Sequence, residues 1–243
     1  MKFIVRTYFE ISQDFQSTLD YQDEEVYINY IRDIFKSAPL HEDFTIEQRY
    51  LYSLVALVEP ILSSYRIRNR IRRLQPRIKI INASFALEDS VKRLSMEAYH
   101  FKERVRLFSE STNSLATQSG ASIIGFNSSI GRIIRTYTQH NLRIIKFRNF
   151  IVHGPKGRID EFEHLRRLEL ACIFIHDDLW LEYKNEFDNA RSEWTTFGGN
   201  LIRSMETAIA AIQLANENLV SNSYARLASS ERSFGNESQV RPR

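Results

Sequence analysis

Between Leu87 and Phe108 the apolar residues recur in alternating steps of four and three: Leu87, Val91, Leu94, Ala98, Phe101, Val105 and Phe108. At 3.6 residues per turn, all seven fall on one stripe of a helix about six turns long. A strand repeats with period two and cannot carry this pattern. A stripe of this length needs other helices to cover it, so the spacing predicts a bundle. A single coiled-coil strand reads similarly, but the seam breaks at the Ser/Thr/Asn/Gly-rich stretch 110–129. That stretch is expected to be an irregular loop, a connector in preference to a lid.

The same spacing returns elsewhere. Ile133, Tyr137, His140, Ile144, Phe147 and Ile151 form a seam over 130–153, with His140 expected as a hydrogen-bonded core residue. Phe162, Leu165, Leu168, Cys172, Ile175 and Leu179 mark a helix over 160–188, opened by Asp160 and Glu163. Leu201, Met205, Ala208, Ile212, Ala215 and Leu219 mark one over 199–222. Upstream, Val26, Tyr30, Ile31, Ile34 and Phe35 give a helix over Glu24–Ser37, and Thr45 with Gln48 forms a capping-box pattern before another. Pro60 kinks that helix or splits it from the basic segment that follows, Pro76 ends the segment, and Ile78–Ile81 reads as a short extended link. Only eight glycines and five prolines occur in 243 residues, which argues against a turn-rich β architecture. The fold class is therefore all-α, an antiparallel helical bundle with additional N-terminal helices. Its expected organisation is a helical extension over 1–80, a bundle over 81–227 and a tail over 228–243, disordered by composition.

Net charge is only +3, but it is unevenly placed. From Arg66 to Lys79 there are seven basic residues (Arg66, Arg68, Arg70, Arg72, Arg73, Arg77, Lys79) and no acid. Such a run suits a phosphate backbone, a solvated surface or an acidic partner. Cys172 is the single cysteine, so no intrachain disulfide is possible and a reducing cytoplasm is the expected setting. The apolar run at Met1–Arg6 is too short for a signal peptide, and no window approaches eighteen consecutive apolar residues, so no membrane association is expected.

One stretch breaks the apolar logic: Phe147-Arg148-Asn149-Phe150-Ile151-Val152-His153-Gly154-Pro155. A guanidinium, an amide and an imidazole crowd the end of an apolar helix, where desolvation is costly without partners or a task. Asn149 and His153 stand one above the other, and Arg148 lies about 100° to the side. Gly154 suits the left-handed position after a helix and Pro155 cannot extend it, so the helix is expected to stop at His153, beside unpaired carbonyls that favour a protonated ring. A structural reading stands beside the chemical one: Arg148 paired with a glutamate of a neighbouring helix, Asn149 capping a loop and His153 capping the helix. Arg132, Arg135, Arg143 and Lys146 flank the same helix and suit an RNA-facing or merely solvated surface.

The Arg-Asn-x-x-x-His string on a helix of an all-α domain resembles the signature of the HEPN superfamily, many of whose members are metal-independent endoribonucleases of toxin–antitoxin and abortive-infection systems. The resemblance implies a four-helix core, with Arg148 in the place of the family's arginine, Asn149 in its following polar position and His153 in that of its histidine. Some members carry a tyrosine two residues after the histidine, where a partner nucleotidyltransferase modifies them; here that position is Pro155. The resemblance further implies a symmetric homodimer that brings two motifs into one cleft, and a cognate antitoxin or other regulatory protein as partner.

No glycine-rich phosphate loop, zinc-type Cys/His spacing or GxSxG elbow occurs, and no cofactor or metal is expected. His176-Asp177-Asp178 lacks a partnered ligand set and reads as a polar face. The functional expectation is RNA cleavage by 2′-hydroxyl attack: His153 moves protons, Arg148 steadies the phosphate and Asn149 orients one of them. Arg66, Arg70 and Arg73, with Arg132, Arg135, Arg143 and Lys146, are expected to hold RNA. The competing expectation is a non-catalytic helical module that binds nucleic acid or a protein and keeps the motif as a structural pin.

Overall fold

The computed structural model describes residues 44–76, 82–118, 122–153, 160–174 and 177–237. The helix expected over Glu24–Ser37 and the link Ile78–Ile81 lie outside them. The described elements are α1 (Ile46–Ala56), α2 (Glu59–Arg73), α3 (Ala83–Gln118), α4 (Ile124–His140), α5 (Leu142–His153), α6 (Asp160–Phe174), a 3-10 turn (Asp177–Leu179) and α7 (Trp180–Glu237). No strand occurs among the described residues. The fold is an all-α helical bundle.

The capping box forms as the sequence predicts. Gln48 N–H donates to Thr45 Oγ1 at 3.2 Å, and Thr45 N–H donates to Gln48 Oε1 at 3.0 Å. Pro60 splits rather than kinks: α1 ends at Ala56 and α2 opens with Glu59-Pro60 in its first turn, where the missing N–H costs nothing.

Two compact units are present. The first gathers the described parts of Met1–Val55, Leu107–Ile130 and Ile212–Arg243. Its core joins Tyr50 to Phe108 (ring centroids 5.7 Å apart) and Phe108 to Phe126 (6.2 Å), and Asn216 Nδ2 donates to the Tyr50 hydroxyl at 3.0 Å. The second comprises Ala56–Arg106 and Gly131–Ala211 and holds the candidate site. The boundary expected near residue 80 does not separate them. Instead α2 is tied into the second unit: Arg104 pairs with Glu59 at 3.1 Å, Ser63 Oγ donates to Glu97 at 3.0 Å, and Arg191 Nη1 donates to the Leu74 carbonyl at 2.7 Å.

Within the second unit the contacts set helix direction. Residues 59, 63 and 70 of α2 meet 104, 97 and 89 of α3, so these helices are antiparallel. Asn141, Phe147, Phe162 and Glu169 meet Ser204, Trp194, Trp194 and Tyr183, so the segments before α7 run against it. The seam of α3 is fully used: Leu87, Val91, Leu94, Ala98 and Phe101 are 0% exposed. Each large one contributes about 1.5–3 kcal/mol relative to leaving it in water. Two buried carboxylates join α3 to α6. Glu88 takes Lys92 and Arg166, each at 2.8 Å. Glu169 Oε1 accepts from Ala83 N–H (3.0 Å), Asn82 N–H (3.3 Å) and the Tyr183 hydroxyl (2.8 Å), placing negative charge at the N-terminus of α3.

Four expectations are corrected. The stretch 110–129 is mostly helix, because α3 continues to Gln118 and α4 starts at Ile124. Its hydroxyls bond back to the preceding turn instead of competing with the helix: Thr112 Oγ1 to the Phe108 carbonyl at 2.8 Å, Ser114 Oγ to Glu110 at 3.1 Å, and Thr117 Oγ1 to Asn113 at 2.7 Å. The single helix over 130–153 is divided at Asn141. His140 is consequently exposed, and Asn141 is buried in its stead. Finally, the separate helices ending at 188 and starting at 199 are one continuous α7, in which Gly198 and Gly199 accommodate the stem and head of Arg68. The helix is described to Glu237, where a disordered tail is expected from 228; residues 238–243 lie outside the described set.

Candidate functional site

The inner side of α5 is held by packing. Ile144 and Ile145 are buried, and Phe147 lies 5.3 Å from the ring of Trp194, which also meets Phe162 (6.3 Å) and Phe197 (5.5 Å). The start of α5 is fixed by Asn141, whose Nδ2 donates to the Tyr137 carbonyl (2.9 Å) and to Ser204 Oγ (2.8 Å). Arg148 follows Ile144 and Asn149 follows Ile145 by one turn, so both continue the flank of α5 that these buried residues occupy, and Arg148 is held there against α3.

Arg148 has no glutamate partner among the described residues, contrary to the structural reading of the sequence. Its guanidinium carbon lies 4.0 Å from the centroid of the Tyr99 ring on α3. Its Nη1 donates to Asn149 Oδ1 at 3.1 Å. Its Nε–H is buried with no partner among the described residues. The head is therefore oriented by a ring face and a neutral amide, neither of which neutralises its charge. Cation–π stacking of this kind contributes about 0.5–2 kcal/mol, the more so when desolvated. Asn149 is exposed. His153 is the last residue of α5, one turn beyond Asn149 and about 6 Å further along the axis. Its imidazole, with Gly154 and Pro155, lies outside the described residues. The structure thus brings Arg148 and Asn149 together and gives the backbone position of His153.

The flanking basic residues divide by partner. Arg132, Arg135 and Lys146 are exposed, with Arg135 Nε donating to the Gly131 carbonyl at 3.2 Å. Arg143, also exposed, is engaged by α7: its Nη1 meets Glu193 Oε1 at 2.9 Å and its head sits 4.6 Å over Phe197. Arg143 is therefore a helix-to-helix tie as well as a surface cation. On α2, Arg66, Arg70 and Arg73 are exposed, and among the described residues their one carboxylate contact is a long 3.9 Å approach of Arg70 to Asp89. Arg68 turns inward, donating from Nε to the Thr195 carbonyl at 3.2 Å. Arg77 and Lys79 lie outside the described residues.

Among the described residues no group of three His, Cys, Asp or Glu could hold a metal ion, and no helix is long and apolar enough to cross a membrane. His176 and the side chain of Asp177 lie outside the described set. Cys172 is buried, as its place on an apolar face implies.

Tyr99 is the residue that reading the sequence misses. It follows Ala98 in the α3 seam, and nothing in its local spacing links it to α5. A scan of family models finds no match for this chain, and neither curated proteins nor solved structures show one.

Proposed function

We propose that the protein is an endoribonuclease of the HEPN type that cleaves RNA with its own side chains at the end of α5. One observation carries the reading: Arg148, on the same turn as Asn149 and a turn and a half before His153, is held by Tyr99 without a carboxylate partner among the described residues. A guanidinium kept in place but not neutralised is suited to an incoming phosphate, onto which it can fork two N–H donors.

In this reading the substrate's 2′-hydroxyl attacks the adjacent phosphorus, the bond to the 5′-oxygen breaks, and the product ends in a 2′,3′-cyclic phosphate. Arg148 stabilises the charge that grows on the non-bridging oxygens. His153 takes the proton from the attacking hydroxyl, and a second His153, from another copy of the chain, returns one to the leaving 5′-oxygen. Asn149 orients Arg148. Arg66, Arg70 and Arg73 on α2, with Arg132, Arg135 and Lys146, hold the RNA backbone through its phosphates. The setting is cytoplasmic, as a defence toxin restrained by an antitoxin or other regulatory protein. The test compares RNA cleavage, and toxicity on expression, for the wild type and His153→Ala. The proposal expects a loss of about 10²–10⁴-fold in rate; equal cleavage removes the catalytic role.

A second reading rests on the partial burial of Arg148 against its own chain: a non-catalytic module in which Arg148 and Tyr99 pin α5 to α3, and the basic surface binds nucleic acid or a protein. Melting of Arg148→Ala separates the two. A pin loses stability, whereas a phosphate-binding arginine loses activity with little change in Tm.

A further inference from the structure

The arrangement around Arg148 goes beyond the motif itself. A guanidinium has two faces and a rim of five N–H donors, and a ring laid against one face leaves the rim unspent. Here the ring is that of Tyr99, 4.0 Å from the guanidinium carbon, and Asn149 Oδ1 accepts from Nη1. The Nε–H is buried and has no acceptor among the described residues. A charged donor buried without an acceptor is unfavourable, and an anion that reached it would supply the missing bond. The contact joins the middle of α3, whose Ala98 and Phe101 are 0% exposed, to the last turns of α5. Tyr99 thus stands between fully buried residues of α3, while Arg148 stands near a helix end, where an unsupported side chain would sample many rotamers.

We infer that Tyr99 is a positioning residue, whose ring presets the Arg148 guanidinium to take a phosphate of an RNA strand. The aromatic face does this work and the hydroxyl does not. The inference rests on α5 being a phosphate-facing surface, but not on cleavage, so the two are separable.

The experiment measures binding of the intact protein to an uncleavable 2′-O-methyl RNA oligonucleotide as a function of salt, alongside cleavage of ordinary RNA. Arg148→Ala should weaken binding about tenfold and lower the salt slope by about 0.7, the loss of one single-strand phosphate contact. Tyr99→Leu should reproduce both changes, and Tyr99→Phe should restore binding to within about twofold of wild type, since the ring face is kept. The double variant Tyr99→Leu/Arg148→Ala should bind no more weakly than Arg148→Ala alone, because the ring acts through the arginine. Melting curves on every variant exclude unfolding, and Tyr99→Met, which fills much of the same space without an aromatic face, substitutes if Tyr99→Leu does not fold. Wild-type binding and slope in Tyr99→Leu, with Arg148→Ala impaired, would overturn the inference, as would unchanged binding in Arg148→Ala itself. Coupled binding losses without any RNA cleavage would leave Tyr99 in its role and remove the nuclease reading alone.

Discussion

Asn141 Nδ2 donates to Ser204 Oγ at 2.8 Å and to the Tyr137 carbonyl at 2.9 Å, and this pair of bonds sits where α4 gives way to α5. The backbone ladder passes through the junction, with Asn141 N–H bonded to the Tyr137 carbonyl (3.1 Å) and Ile145 N–H to that of Asn141 (3.0 Å). The side chain therefore ties the start of α5 to α7 at the point where α4 and α5 divide. Replacing it with leucine, similar in size but without donors, should cost about 1–3 kcal/mol. In a chain of this size that lowers Tm by about 2–4 °C per kcal/mol. An unchanged melting curve for Asn141→Leu would show that the junction is set elsewhere.

Two glycines inside helices should respond with opposite sign. A Cβ on Gly131 meets nothing within 4 Å, so Gly131→Ala gains helix propensity at no steric cost and should stabilise by about 0.5–1 kcal/mol. A Cβ on Gly198 meets Arg68 Cβ and Cγ at 3.3 Å and Leu94 Cδ2 at 3.4 Å, and a branched residue reaches further. Gly198→Val should destabilise by about 1–3 kcal/mol. Denaturant midpoints for the two variants give the comparison, and two shifts of the same sign would contradict this packing.

The tyrosines predict behaviour in alkali. Burial raises Tyr50 from 10.0 to about 12. Burial also raises Tyr137, and it raises Tyr183 with Glu169 alongside. Between pH 10 and 12 the unfolded chain releases phenolic protons that the folded chain retains. Their contribution is complete below pH 10 and is lost as pH rises, by up to about 1.4 kcal/mol per unit for each phenol. Tyr137→Phe should be less stable near pH 8 by about 1 kcal/mol, because the bond from the hydroxyl to the Ala98 carbonyl (2.9 Å) is gone. It should then lose less stability than the wild type between pH 8 and 11. Parallel Tm profiles for the two proteins would refute this assignment.

Much of the architecture was legible because the signal was periodic. The seven seam residues from Leu87 to Phe108 are all buried, and the Thr45–Gln48 cap forms with both reciprocal bonds. The reading failed where polar or small residues serve a helix in ways that composition does not reveal. Thr112, Ser114 and Thr117 bond to carbonyls one turn back, so a stretch with the composition of a loop is helix. The helices expected to end at 188 and to begin at 199 are one, and Gly198 and Gly199 within it make room for Arg68. At the candidate site, Arg148 and Asn149 could be chosen from the string alone. The contact of Tyr99 with Arg148 could not be foreseen, because it depends on how α3 and α5 pack and not on any local spacing.

The exposed arginines of α2 should behave as a phosphate tract. Arg66, Arg70 and Arg73 recur at helical spacing with little carboxylate engagement, whereas the Arg167 head is held by Glu163 at 2.7 Å. Changing the first three to alanine should lower the salt slope of single-stranded RNA binding by about 2, near 0.7 for each lost contact. Arg167→Ala should leave it unchanged. Equal slopes in both variants would deny α2 this role.

The most direct test of the central claim is the chemistry of the cut ends. RNA incubated with the wild-type protein should yield 2′,3′-cyclic phosphate at one new end and a 5′-hydroxyl at the other, and neither Arg148→Ala nor His153→Ala should produce them at more than about a hundredth of the wild-type rate. Ends bearing 3′-hydroxyl and 5′-phosphate, or cyclic phosphate formed equally fast by His153→Ala, would contradict it.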